Sequence, residues 1–150
     1  MIIIGKLKKD KYSRKLNSLV KNNKGIIFTN YINEFQQSAL YLNALGLISP
    51  SLIEGYGIPV LNSCCLGLPC YASNCHSHEE ILNLYDFNSY LKIYDTNSII
   101  QWTNVFLENY SFDFKNINQV RSQRLERYKE ISIKFQSNFV NQLVNFCSQF

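Results

Sequence analysis

Three observations predict an α/β fold built on a Rossmann-like parallel sheet. Five short runs rich in β-branched or apolar residues, "MIIIG", "GIIFTN", "LGLIS", "LPCYAS" and "YLKIY", punctuate the 150 residues. The stretches between them place apolar residues at helical spacing, so strand and helix alternate as in βαβ units. The runs are nearly continuous in apolar character, which is what strands of a parallel sheet covered on both faces require.

Each element has its own signal. "MIIIG" is a buried strand closed by Gly5. From Lys11 to Val20, Tyr12, Leu16 and Leu19 recur at helical spacing. "GIIFTN" is the second buried strand. Asn33 then starts a helix, with Gln36 three residues on completing a capping box and Phe35, Ala39 and Leu42 on the inner face. "LGLIS" is the third strand and runs straight into "SPSLIEGYGIPVLNSCCLGLP". "LPCYAS" is the fourth, followed by a short helix around His78 to Leu82, and "YLKIY" is the fifth. Asp95 or Thr96 caps the next helix, where Ile99, Trp102 and Phe106 share a face. Residues 109–118 read as a linker. The remainder, from about Ile117, is helical and ends in a stripe of Phe139, Leu143 and Phe146. The aromatic positions Trp102, Phe106 and Phe139 are expected in the core. Length and the absence of repeats predict one domain, residues 1–150.

Composition narrows the function classes. The net charge is +4, with Lys6, Lys8, Lys9, Lys11, Arg14 and Lys15 clustered early. Such a cluster can attract phosphate, nucleic acid or anionic lipid. Tyr12 alone interleaves it, so no stacking platform for single strands is present and nucleic acid is not an expected partner. The segment reads as a solvated surface. No run approaches the ~18 apolar residues of a membrane span. "MIIIG" is too short for a signal-peptide core, and its charges follow the apolar run. An odd count of five cysteines fits free thiols in a cytoplasmic protein. Cys70, Cys75, His76 and His78 cluster in sequence but lack a paired C-x2-C, so no metal is expected. Cys64 and Cys65, on an apolar helix face, read as packing.

The stretch from residue 49 to 69 carries the chemistry. Gly55 and Gly57 let a ligand approach the main chain closely. Pro59 suits the first turn of a helix that begins at about Ile58 and is ended by Gly67 as a C-cap. Free N–H groups at such a helix start attract phosphate. Glu54 stands just before them. A carboxylate repels a diphosphate but accepts well from neutral hydroxyls, so donors for phosphate and an acceptor for a sugar share one loop. That pairing suits a nucleotide-sugar. A capping acid beside a tight turn would also account for the residues taken singly.

"SPSLIEGYGIPVLNSCCLGLPCYASN" resembles the signature of glycosyltransferase family 4, the group 1 retaining glycosyltransferases of GT-B fold. The family pattern is roughly P-S-x-x-E-G-F-G-L-P-x-x-E-A-x-x-x-G-x-P-V-x-x-S. Pro50, Ser51, Glu54, Gly55, Gly57, Pro59, Gly67, Pro69 and Ser73 match it, with Tyr56 for Phe and Ile58 for Leu. Glu80-Ile81 stands where the family has Glu-Val. The strands and helix before the motif, and Tyr94-Asp95 with the terminal helices after it, extend the likeness along most of the chain.

The resemblance implies a donor-binding half of a retaining glycosyltransferase that moves a sugar from a nucleotide-sugar to an acceptor hydroxyl, in polysaccharide or glycolipid assembly and without a metal or other cofactor. It implies that Glu54 meets sugar hydroxyls as the catalytic-site acid. The backbone of Gly55, Tyr56, Gly57 and Ile58 would lie along sugar and diphosphate, and Tyr31 and Ile32 beside the base. The family's second glutamate, on the ribose, corresponds to Asn62, a neutral residue. The family's N-terminal acceptor domain is not matched, nor is the first strand and helix of the donor domain that supply its phosphate-binding arginine and lysine. Lys6 lies near a strand end, but nothing in its spacing ties it to a phosphate, and its segment reads as surface. An acceptor domain or partner chain is therefore an implied partner, peripheral contact with the inner membrane face is compatible, and the isolated chain is expected to turn over little. Two alternatives stay open: a non-catalytic nucleotide-sugar-binding module or split subunit, and a nucleotide-sugar epimerase on the same plan.

Overall fold

The computed structural model describes residues 1–85, 87–108 and 116–147, with the side chains of 108, 139–140 and 142–147 excepted. The element order is β1 (Ile2–Ile4), α1 (Lys11–Lys21), β2 (Ile27–Thr29), α2 (Glu34–Asn43), β3 (Leu47–Ser49), α3 (Ile58–Cys65), β4 (Cys70–Ser73), α4 (His76–Tyr85), β5 (Leu91–Tyr94), α5 (Ile99–Glu108) and α6 (Ile117–Cys147). All five expected strands are present, and a helix follows each. Every pairing is parallel: β1 with β2 in one sheet, and β3-β4-β5 in the other. The chain divides into two compact units, Met1–Ala39 and Leu40–Phe150. Most of the expected linker, 109–115, and the stripe of Phe139, Leu143 and Phe146 lie outside the described residues.

In the first unit the strands are exposed on one face, not buried as their apolar runs suggest. Ile2 pairs with Ile27 and both are exposed, whereas Ile3 pairs with Phe28 and both are half-buried. Facing partners in a parallel register share a face, so one side of this sheet is covered and the other is open. Helix α1 is capped by Asp10, whose Oδ1 accepts from the Ser13 amide at 2.7 Å. That bond holds the Asp10 carboxyl below its ordinary range. The covered face of α1 is Ser13, Leu16 and Val20; Tyr12 and Leu19 are 82% and 57% exposed, contrary to expectation. Helix spacing admits either set, and the sheet selects the one nearer its cover. The basic side chains from Lys6 to Lys15 are all exposed. The capping box forms as written: Asn33 N–H donates to Gln36 Oε1 at 3.0 Å, and Gln36 N–H to Asn33 Oδ1 at 2.9 Å. Phe35 and Ala39 are nevertheless exposed, and α2 buries Tyr41 instead.

The second unit holds the core. β4 is central, and all four of its residues are buried. Val60, Cys64, Cys70, Ala72, Ile81 and Leu91 pack into one cluster against this strand. Large side chains so placed contribute about 1.5–3 kcal/mol each relative to exposure. Helix α5 turns Val105 and Trp102 inward, whereas Ile99 and Phe106 are 81% and 50% exposed. Its N-terminal cap is Ser98, whose Oγ accepts from the Gln101 amide at 3.4 Å; Asp95 instead accepts from Asn97 N–H in a local turn. Arg124 of α6 is buried and donates to the Tyr41 and Leu42 carbonyls at 3.0 and 2.9 Å. It thereby satisfies the last turn of α2, which its own helix cannot. No described helix is long and apolar enough to cross a membrane.

Candidate functional site

Strand β3 ends at Ser49, and the chain runs through residues 50–57 before α3 begins. Both limits of α3 follow from its sequence. Gly57, the N-cap, lies at φ +72°, a left-handed conformation that glycine adopts without penalty. A Cβ there would sit 3.1 Å from Ile81 Cδ1 and 3.2 Å from His78 Cδ2, so both neighbours would have to give by a few tenths of an ångström. At the other end Gly67, at φ +68°, donates to Cys64 O and Leu68 donates to Ser63 O, both at 3.0 Å. This is a Schellman closure, with Leu66 as the C-cap and Gly67 one residue beyond it.

The donors at the start of α3 are few. Pro59 has no N–H, and Val60 N–H already reaches Gly57 O at 2.9 Å. The Ile58 amide remains. Two more donors come from the preceding loop. Ser77 Oγ, in the first turn of α4, donates to Glu54 O at 2.7 Å and to Gly55 O at 3.2 Å. In a trans peptide the N–H points opposite to the C=O. With those carbonyls drawn toward Ser77, the Gly55 and Tyr56 amides face the other way.

Glu54 is half-buried, and its Oε1 accepts from Ser51 Oγ at 2.6 Å. The other carboxylate oxygen has no partner among the described residues. Behind Ser51 stands a buried polar cluster. Ser73 Oγ donates to Ser51 O, and His78, fully buried, places Nδ1 3.0 Å from Ser73 O and Nε2 3.4 Å from Ser49 Oγ. Ser73 O can only accept, so Nδ1 carries the proton and Nε2 accepts from Ser49. Tyr56 is half exposed; its hydroxyl meets that of Tyr85 at 3.0 Å. That hydrogen bond, with burial second, pushes Tyr85 up to about 12.

Glu54, Gly55, Tyr56, Gly57, Ile58 and Asn62 thus all belong to the second unit, on one loop and the helix it starts. Asn62 lies half-buried on the second turn of α3. Tyr31 and Ile32 belong to the first unit. There they line a cavity of about 670 Å³ at the carboxyl ends of β1 and β2, together with Gly5, Lys6 and Asn30. That volume is in the range of small-ligand sites. No described group of His, Cys, Asp and Glu could hold a metal ion. Cys70 is in the core strand, His76 is exposed, and both ring nitrogens of His78 are engaged. Buried Cys65 has its thiol pushed up to about 11 by desolvation, which keeps it protonated and inert.

Sequence reasoning named Ser51 and Ser73 only as motif positions, weighed His78 only as a metal ligand, and missed Ser77. The available signal was polar: "SNCHSH" follows directly on an apolar core strand, where burial of a serine or histidine demands a partner.

The family model described as glycosyl transferases group 1 matches residues 1–113. No curated protein matches the chain.

Proposed function

Because the chain belongs to the group 1 glycosyltransferases, we propose that it is the donor-binding half of a retaining enzyme that takes its sugar from a nucleotide-sugar. One observation carries this reading. Glu54 is oriented by Ser51 and offers an oxygen without a partner among the described residues, directly before a loop whose Gly55 and Tyr56 amides point away from the carbonyls bound by Ser77 and whose Ile58 amide has no partner among those residues. One acceptor for hydroxyls, at Glu54, is followed by three donors for phosphate oxygens within five residues. Glu54 would bind sugar hydroxyls, and the loop amides would lie along the diphosphate. Asn62 would meet the ribose through its neutral amide. Tyr31 and Ile32, with Lys6, line the first unit's own cavity, whose volume suits a small ligand. The donor's two charged oxygens are then met by backbone dipoles, so no metal is required. Polysaccharide or glycolipid assembly is the proposed setting.

The test is titration of the labelled chain with UDP-glucose, GDP-mannose and ADP-glucose while amide signals are followed. The expected result is a saturable shift at Gly55 to Ile58 with one of the three. Shifts confined to other residues, or none at all, would remove the reading.

A further inference from the structure

His78 is unexposed, yet it is polar, and the proposed donor chemistry does not use it. Its surroundings are specific. The Nδ1–H is shared between Ser73 O at 3.0 Å and Ser73 Oγ at 3.3 Å. Ser73 Oγ has a single hydrogen, given to Ser51 O. Ser51 Oγ in turn gives its hydrogen to Glu54 at 2.6 Å. Ser51 is thus held at its carbonyl by Ser73 and holds Glu54 with its hydroxyl, so the imidazole reaches the carboxylate through Ser73 and the Ser51 backbone. The opposite edge of the ring, Cδ2, backs the α-carbon of Gly57, and a Cβ there would crowd it at 3.2 Å. Nε2 is held by Ser49 at the end of β3.

We propose that His78 is the positioning residue of the sugar-binding loop, its ring setting the Gly57 backbone by contact and the Glu54 carboxylate through Ser73 and Ser51. The claim rests on the reading that this loop binds the donor. The ring itself touches no ligand. Any rotation or change of tautomer would remove the proton from Ser73 or the lone pair from Ser49, and either change loosens both ends of the loop together.

The full chain, labelled with 15N and 13C, provides the test. Long-range proton–nitrogen correlation is expected to show the Nδ1–H tautomer of His78 in the ligand-free protein; the Nε2–H form would overturn the proposal. Asparagine places an amide where Nδ1 was, and glutamine places one where Nε2 was. His78→Asn is therefore expected to keep the Glu54 carboxyl carbon near its wild-type shift and its affinity for the bound nucleotide-sugar, among UDP-glucose, GDP-mannose and ADP-glucose, within about threefold. His78→Gln is expected to move both the Glu54 carboxyl and the Gly57 amide, and to weaken that affinity about tenfold, the equivalent of one to two neutral hydrogen bonds. Equal effects of the two variants, or unmoved signals in a folded His78→Gln protein, would overturn the positioning role. Should His78→Gln not fold, Ser49→Ala removes only the Nε2 partner from a half-buried site, and a Gly57 amide that stays in place there overturns it equally. If none of the three nucleotide-sugars binds the wild-type chain, the donor-site reading falls, while the ligand-free signals still decide what His78 positions.

Discussion

Gly57→Ala is the substitution whose cost the structure defines most closely. The native φ of +72° places a non-glycine residue in the left-handed region, at about 1–2 kcal/mol. The new methyl group would also meet Ile81 Cδ1 at 3.1 Å and His78 Cδ2 at 3.2 Å. Those neighbours are 2% and 0% exposed, so neither can swing into solvent. Each must give by a few tenths of an ångström, and overpacking of this kind costs about 1–3 kcal/mol. Alanine narrows the unfolded ensemble and returns about 0.4–1 kcal/mol. The net expectation is a loss of about 1–4 kcal/mol in urea unfolding with an unchanged m-value. Gly55→Ala is the internal control. A Cβ there meets nothing within 4 Å, so stability is expected to stay within about 0.5 kcal/mol of wild type or rise slightly. The two glycines belong to the same motif, yet only one is demanded by the fold. Gly55→Ala should instead weaken nucleotide-sugar binding, because the methyl group occupies the open side of the loop. A loss below about 1 kcal/mol for Gly57→Ala, or equal losses at both positions, would refute the reasoning.

Four further outcomes are expected. Ser63→Ala should raise stability by about 1 kcal/mol, read by urea unfolding, because Ser63 Oγ is buried without a hydrogen-bond partner among the described residues. Arg124→Gln should cost about 1–3 kcal/mol in the same assay, since the Tyr41 and Leu42 carbonyls then lose a charged donor. Asn62→Glu should tighten nucleotide-sugar binding by about 1–2 kcal/mol, the gap between charged and neutral hydrogen bonds; unchanged or weaker affinity by calorimetry contradicts the ribose assignment. Cys65, with its thiol raised from 9.0 to about 11 by burial, should resist alkylation at pH 8. Its sign in stability is also set. The unfolded chain deprotonates first, so Cys65 withdraws stability as pH rises from about 9 to about 11, and Cys65→Ala should flatten that decline.

Strand positions were legible because the apolar runs are short and bounded by glycine, proline or polar residues, and all five appear where expected. The direction each helix faces was not. In α1 the expected stripe of Tyr12, Leu16 and Leu19 and the observed stripe of Ser13, Leu16 and Val20 share Leu16 and differ by a rotation of about 65°. Sequence periodicity records that a stripe exists but not which side the sheet occupies, and a serine can serve on the covered face when its hydroxyl accepts from Lys8 N–H at 3.1 Å. The same slip recurs in α5, where Val105, not Phe106, enters the core. The burial of β1 and β2 was overestimated for a related reason: an apolar residue in a strand permits cover and does not supply it.

The loop was more legible than the helices because its residues are fixed by backbone requirements that only a few side chains meet. A left-handed N-cap where a Cβ would be crowded favours glycine, a helix start can hold proline, and a Schellman closure favours a second glycine. Those constraints act on one position at a time and leave a mark in one sequence. The supports of Glu54 leave none of that kind. Ser51, Ser73 and His78 come from three separate segments, and each would be unremarkable alone. Only their convergence shows why an apolar core strand ends in a serine and why a histidine is sealed behind it. The local half of such a site can be read from spacing; the half that depends on contacts between distant segments requires the fold.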